Sequence, residues 1–170
     1  MNCTELATRI EQLQPDATPR AQFHHVNDVV PTIYDVLKIQ PPKEVDGVTQ
    51  QPLDGISLAY TFADAKAPGR KQAQYFEVMA DRGIYSPDGW FASAWGPRTP
   101  WVPGLPPGIA TWSPDKDPWE LYDLNADFSQ ATDLAAKNPA KLAELKQVCD
   151  REAKANQVYP IGGGLWSVIW

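Results

Sequence analysis

His24 and His25 are the only imidazoles in this chain of 170 residues, and they stand side by side. On a strand, neighbouring side chains point to opposite faces, so the pair cannot serve one metal ion together, and no third histidine exists to complete a ligand set or a catalytic triad. A structural or supporting role is therefore expected for both. The carboxylates Glu77, Asp81, Asp88, Glu120 and Asp123 invite comparison with the acid pair of a glycoside hydrolase, which needs two carboxyls about 5–10 Å apart across a cleft. Position argues otherwise: Asp88 precedes Gly89 as a turn residue would, and Glu120 and Asp123 alternate with apolar residues like the solvated side of an edge strand. Trp95, Arg98, Trp101 and Trp112 combine aromatic faces with a cation and could rim a pocket for an anionic aromatic substrate, but packing of their loop against a larger domain is the favoured reading. Cys3 and Cys149 lie near opposite ends with no metal-type spacing, and both are read as free thiols. The sequon Asn2-Cys3-Thr4 carries no weight at that position.

The elements that would position these groups follow from periodicity and punctuation. A short helix is expected over Thr4–Leu13 in an otherwise weakly patterned leader, and a short strand over Gln22–Val26. A helix is then expected from Asp28 as N-cap to Lys38, with Pro31 tolerated in its first turn. Val30, Ile33, Tyr34 and Leu37 recur at helical spacing, so one face of it should be buried. Pro41-Pro42 opens a loop to Gln51. Gly55 is expected to supply a turn before a short helix near Ser57–Phe62.

From Gln72 the period changes to two. Gln74–Met79, Arg82–Tyr85 and Trp90–Trp95 read as an antiparallel meander, with Asp88-Gly89 as its hairpin signal. Pro97–Pro118 reads as a long irregular loop, and Trp119–Leu124 as a fourth strand. Asn138-Pro139 has the form of a helix start, and Leu142, Leu145, Cys149 and Ala153 repeat at helical spacing, predicting a long helix across the sheet. The run Tyr159–Trp170 is an apolar tail without cap or polar ending, read as truncated. The expected fold class is thus α+β: a small antiparallel sheet of about four strands under a long C-terminal helix, preceded by a helix that belongs to a larger partner domain.

Composition bounds the function. Hydrophobic residues make up 43% and aromatic residues 11%, which argues against disorder over most of the length. A net charge of -6 gives no basic face for nucleic acid or an anionic membrane surface. No apolar run approaches the roughly 20 residues of a membrane helix, and the first nineteen residues lack the pattern of a signal peptide, so compartment stays open.

Several segments, taken in order, resemble the C-terminal portion of arylsulfatases of the type I sulfatase family, within the alkaline phosphatase-like superfamily. They are Gln22–Tyr34 with its Asp28-x-x-Pro31-Thr32, Leu53-Asp54-Gly55-Ile56-Ser57-Leu58, Gln74–Glu77 with Arg82–Tyr85 and Asp88-Gly89-Trp90, and Trp119–Leu124 with Asp127 and Asp133-Leu134-Ala135. The resemblance covers about Ala21 to Trp166. It implies an organisation of residues 1–20 as an unrelated leader, 21–71 as the end of a large α/β sulfatase domain, 72–158 as a C-terminal subdomain and 159–170 as the tail. It also implies sulfate ester hydrolysis by a formylglycine made in a Cys/Ser-x-Pro-x-Arg motif, with a calcium ion held by Asp and Asn residues. That motif is missing: Cys3 begins Cys-Thr-Glu-Leu-Ala, Cys149 begins Cys-Asp-Arg-Glu-Ala, and no serine fits. The family's calcium ligands belong upstream of Ala21. No catalytic, cofactor or metal residue is therefore carried onto this chain, which is expected to be an inactive fragment. Its expected partner is the missing N-terminal half or, as a noncatalytic binding or assembly module, a second copy of itself.

Overall fold

A computed structural model describes residues 17–96 and 111–161. The expected leader helix over Thr4–Leu13, Cys3, Arg98, Trp101 and most of the apolar tail lie outside the described residues. The chain forms two compact units, Met1–Lys71 and Gln72–Trp170.

The second unit is an antiparallel meander with one helix laid on it, as the alternation of its sequence predicts. Numbered along the chain after the first-unit strands given below, its strands are β3 (Gln74–Val78), β4 (Asp81–Tyr85), β5 (Trp90–Ala94) and β6 (Trp119–Asp123), in spatial order β3-β4-β5-β6. Register aligns Tyr75, Ile84, Ala92 and Leu121 in one row across all four strands. Helix α2 (Pro139–Ala155) lays Leu145 and Cys149 against that row, and Ile84, Ala92, Leu121 and Leu145 are fully buried. Leu145, Cys149 and Ala153, the buried residues of α2, are three of the four positions that define its predicted stripe; the fourth, Leu142, packs at the edge. Pro139 takes the first helical position as expected, but Asn138 does not cap with its side chain. Its amide turns back to the Leu134 carbonyl instead, at 3.4 Å.

Four residues, 86–89, join β4 to β5. Gly89 N–H donates to the Ser86 carbonyl at 3.0 Å around Pro87 and Asp88, and Gly89 takes a left-handed φ of 86°, the geometry for which Asp-Gly is favoured. A Cβ there would also run into the side chain of Asn125. On the outer edge of β6, Leu121 N–H donates to Asp133 Oδ1 and Leu134 N–H to the Leu121 carbonyl, so residues 133–134 cover an edge that would otherwise be open.

The first unit is built around helix α1 (Val29–Leu37), entered through a 3-10 turn at Val26–Asp28. Pro31 sits in its first turn, and the helix ends with Lys38 left-handed, Lys38 N–H reaching the Asp35 carbonyl and Ile39 N–H the Tyr34 carbonyl. Residues 22–25 do not form the expected strand; no neighbouring strand offers them a ladder among the described residues, and Gln22 instead anchors the segment by donating to the Ala65 and Ala67 carbonyls. The loop after Pro42 contains a two-residue hairpin, β1 (Glu44–Val45) and β2 (Val48–Thr49), around Asp46-Gly47. The short helix expected near Ser57–Phe62 is a single 3-10 turn, Ala59–Thr61.

Of the stripe expected to be buried on helix α1, Tyr34 and Leu37 are half-buried but Val30 and Ile33 are exposed. Thr32 is its one buried residue, while Val29, Val30 and Ile33 are each about half exposed. Polar residues hold the inner face: Thr32 Oγ1 donates to the Asp28 carbonyl at 2.7 Å and accepts from Leu58 N–H at 2.8 Å, and Asp35 Oδ2 accepts from Ser57 Oγ at 2.7 Å. The backbone N–H groups of Ile56 and Leu58 need acceptors, which Asp28 and Thr32 supply, while Asp35 takes the Ser57 hydroxyl.

Candidate functional site

The densest cluster of ionisable groups in the first unit surrounds Asp28. Its side chain is fully buried, and it does not cap α1 as its position before the helix suggests. The carboxylate reaches back to His25 N–H and across to Ile56 N–H, each at 2.8 Å, and Lys71 Nζ lies 2.7 Å from Oδ1. Lys71 also donates to Asn27 Oδ1 at 2.9 Å. Burial pushes the Asp28 carboxyl up, but the Lys71 hydrogen bond, the two amide donors and the Lys71 charge outweigh it and hold the group below its ordinary value. It is therefore ionised at neutral pH.

His24 joins this cluster to a phenol. Its Nδ1 is 3.3 Å from Asp28 Oδ2 and its Nε2 is 3.2 Å from Tyr60 Oη. Donation from Nδ1 to the carboxylate and acceptance at Nε2 from the phenol satisfy a neutral ring. A carboxylate, an imidazole and a hydroxyl in line have the order of a base-and-orienter pair, but both ends are occupied. Tyr60 Oη accepts from Arg70 N–H at 3.3 Å while the Arg70 guanidinium lies 4.3 Å over its ring, and Asp28 has spent its oxygens on four donors. The arrangement ties residues 24–28, 56–61 and 70–71 together. His24 thus has a structural place, with its ring turned into the unit.

Gly55 does not form the turn expected of it and owes its place to this cluster. The backbone of Asn27 and Asp28 passes so close that a Cβ at Gly55 would collide with the Asn27 carbonyl and come within 2.9 Å of Asp28 N.

The five candidate carboxylates of the second unit are each held by donors of their own neighbourhood. Glu77 accepts from Ala80 N–H, Asp81 from Gly96 N–H, and Asp88 from Ser86 Oγ and Lys141 Nζ. Asp123 accepts from Asn125 N–H. Glu120, expected to be a solvated edge residue, takes both Trp95 Nε1 at 3.1 Å and Tyr122 Oη at 2.9 Å. Burial first, and the Glu120 hydrogen bond second, push the Tyr122 phenol up to about 12. None of the five is left as an isolated acid across a cleft from another. Of the loop residues considered as a pocket rim, Trp95 is exposed apart from that bond, and Trp112 Nε1 donates to Asp117 Oδ1 at 2.6 Å.

Asp117 leads to a pair that periodicity does not reveal. Arg82 and Asp117 are both buried, 3.0 Å apart, and Arg82 also donates to the Ala80 and Pro114 carbonyls. Its guanidinium lies 5.6 Å from the centre of the Trp119 ring, and Lys146 Nζ approaches the same ring at 5.5 Å. Arg82, Trp119, Lys146, Cys149, Asp150 and Tyr159 line a cleft of about 230 Å³. Arg82 spends three of its donors on holding residues 80, 114 and 117 together.

The resemblance implies calcium for a whole enzyme. Among the described residues no group of three or more His, Cys, Asp or Glu side chains could hold a metal ion. Asp28, the one fully buried carboxylate among the described residues, already has an ammonium against it where a cation would go. The described residues do not fit a calcium site.

No family model matches this sequence, and no curated protein does. Solved structures do match. A protein solved with its substrate D-glucosamine-2-N,6-O-disulfate (BT4656) aligns over 78% of this chain at 20% identity with a TM-score of 0.50. A second, Ps i-CgsB, aligns over 84% at 16% identity with a TM-score of 0.51. A sulfatase from a glycosaminoglycan locus of Bacteroides thetaiotaomicron aligns over 75% at 17% identity and 0.48. The chain has a sulfatase-like fold. The chain spans about a quarter of the structures it matches, 24% of BT4656 and 27% of Ps i-CgsB. Because Gln72–Trp170 is well under four fifths of the chain, a match over 84% of it takes in much of the first unit as well.

Proposed function

We propose that this chain is the C-terminal part of an arylsulfatase, a sulfuric ester hydrolase, and that it contributes structure to the hydrolase without carrying its nucleophile. What supports the reading is the order of the motif segments together with the fold. Asp28-x-x-Pro31-Thr32, Leu53–Leu58, the β3–β5 meander and Trp119–Leu124 follow one another as in that family, in a sulfatase-like fold. The chemistry of sulfate ester cleavage asks for an activated nucleophile and a cationic clamp on the developing charge. This sequence has no Cys/Ser-x-Pro-x-Arg, and its buried cations Lys71 and Arg82 are each committed to a buried aspartate. A sulfated aryl or sugar ester would therefore be cleaved by groups that another stretch of chain brings, formylglycine and calcium among them.

A second reading, a noncatalytic assembly module, is favoured by the outward apolar stripe of α1, which a self-sufficient domain would bury. Complementation separates the two. The full chain is co-expressed with the N-terminal three quarters of an arylsulfatase that carries its formylglycine motif and stops ahead of its own Asp-x-x-Pro-Thr segment. Turnover of p-nitrophenyl sulfate by the mixture, well above that of either piece, is expected. Complex formation without any gain in turnover would favour the assembly module.

A further inference from the structure

Three donor groups of the second unit gather about one cleft with nothing to accept from them. A guanidinium has five N–H groups; Arg82 spends three, on Ala80, Pro114 and Asp117, so two remain on a side chain that is 4% exposed. The Tyr75 hydroxyl is buried without a hydrogen-bond partner among the described residues. Its electrostatic neighbours include Cys149, Tyr159 and Arg82, all of which line the cleft of about 230 Å³. Burial first, and Cys149 next, push the phenol up, so it stays protonated and can only gain by donating. Lys146 Nζ, 5.5 Å from the centre of the Trp119 ring, pairs with no carboxylate among the described residues. The nearby acceptors are spent: Asp117 on Arg82 and Trp112, Asp150 on Lys154 Nζ and the Tyr159 hydroxyl. A buried donor left unmade costs more than a made bond returns, so these groups call for an acceptor from outside the chain.

Size and charge narrow that acceptor. The cleft is smaller than the roughly 300 Å³ at which ordinary ligand pockets begin, so its occupant is small. Arg82 is balanced by Asp117 and Lys154 by Asp150, which leaves Lys146 against Asp115, an exposed carboxylate on the same cleft. Without a net positive charge the cleft disfavours a dianion such as sulfate and suits a monoanion. Pro114, Trp119 and Ile161 give it an apolar wall. We infer that this cleft binds a small monocarboxylate, whose oxygens accept from Arg82, Lys146 and Tyr75 and whose short apolar body lies against Pro114, Trp119 and Ile161.

The probe is sodium butyrate, titrated into the full chain at constant ionic strength, with the Trp119 indole N–H and the Arg82 Nε–H followed by nitrogen–proton correlation NMR. Binding is compared for wild type, Lys146→Met, Tyr75→Phe and Lys137→Met, the last an exposed lysine that does not line the cleft. Neither Lys146 nor Tyr75 loses a hydrogen-bond partner on replacement, so urea midpoints should stay close to wild type and show that the variants fold. Saturable shifts are expected with a dissociation constant on the order of 1–10 mM, the range open to a ligand of so few atoms. Lys146→Met should weaken binding about tenfold or more and Tyr75→Phe several-fold, while Lys137→Met leaves it unchanged. Sodium sulfate should bind about tenfold more weakly than butyrate. No saturable shift up to roughly 100 mM butyrate would mean that water alone satisfies the donors, and overturns the site. A folded variant that binds butyrate as wild type does overturns the role of the group it lacks, and equal weakening by Lys137→Met overturns binding at the cleft. Sulfate binding as tight as butyrate overturns the carboxylate class.

Discussion

Lys71 Nζ lies 2.7 Å from Asp28 Oδ1, with side-chain exposures of 6% and 0%. Each ion makes the other's burial tolerable, since an isolated charge in that position would lack compensation for its lost hydration. Lys71→Met should therefore destabilise the first unit strongly, by about 3–5 kcal/mol, because it leaves the Asp28 carboxylate buried without its cation. Lys71→Met combined with Asp28→Asn should cost much less than Lys71→Met alone. Urea unfolding read by hydrogen exchange at residues 24–60 measures both; equal losses in the two would mean that the pair is not coupled.

Acid should act on the same pair. The Asp28 carboxyl is held below its ordinary value of 3.8 in the folded chain. As pH falls through about 4 the unfolded chain takes up a proton that the folded chain refuses, so unfolding is favoured. The stabilisation is fully present above about pH 5 and is lost progressively below pH 4, through the depressed folded value. Asp28→Asn should flatten this acid limb in a pH series of urea midpoints. An unchanged slope would place the acid sensitivity elsewhere.

At Gly55 a single methyl is expected to matter. Gly55→Ala drives a Cβ into the Asn27 carbonyl, and the obstacle is backbone, so the segment carrying Ile56 N–H has to move off Asp28. Overpacking of this kind costs about 1–3 kcal/mol, and the lost amide donor adds to it. Gly69→Ala, where a Cβ meets nothing within 4 Å, is the control and should be close to neutral. Comparable midpoints for the two variants would contradict the close approach.

Cys149 should behave as a core residue. It is 3% exposed, and burial pushes its thiol up from 9.0 to about 11. Alkylation at pH 8, read by peptide mass at Cys149, should proceed only as fast as the second unit opens and should become rapid in urea. The sign of the pH effect is opposite to that of Asp28. Above pH 9 the unfolded thiol loses its proton before the folded one does, so stability falls between about pH 9 and 11. Cys149→Ala should remove that alkaline loss at the cost of a small cavity.

Much of the second unit is legible in the sequence because its signals are local. Alternation in Gln74–Val78, Asp81–Tyr85, Trp90–Ala94 and Trp119–Asp123 marks the strands, and the period-3.6 stripe of α2 names the residues that reach them. The first unit is legible in part. Periodicity places α1 but cannot say which face turns inward, because that depends on the backbone donors of 56–58 and on Lys71, 43 residues from Asp28. The Asp46-Gly47 hairpin carries the same dipeptide as Asp88-Gly89, yet its strands are two residues long and wholly exposed, with too little apolar alternation to stand out from a loop. Arg82–Asp117 escapes pattern reading for the same reason as Lys71: a partner 35 residues away leaves no local signal.

The central claim is that this chain has a sulfatase-like fold without the sulfatase nucleophile. Its most direct test is hydrolysis of a chromogenic aryl sulfate by the purified chain with calcium present, beside a full-length sulfatase. The account predicts no turnover above buffer from the chain and ordinary turnover from the control. Turnover that survives repurification, and that is abolished by His24→Ala or by His25→Ala in a folded variant, would contradict it.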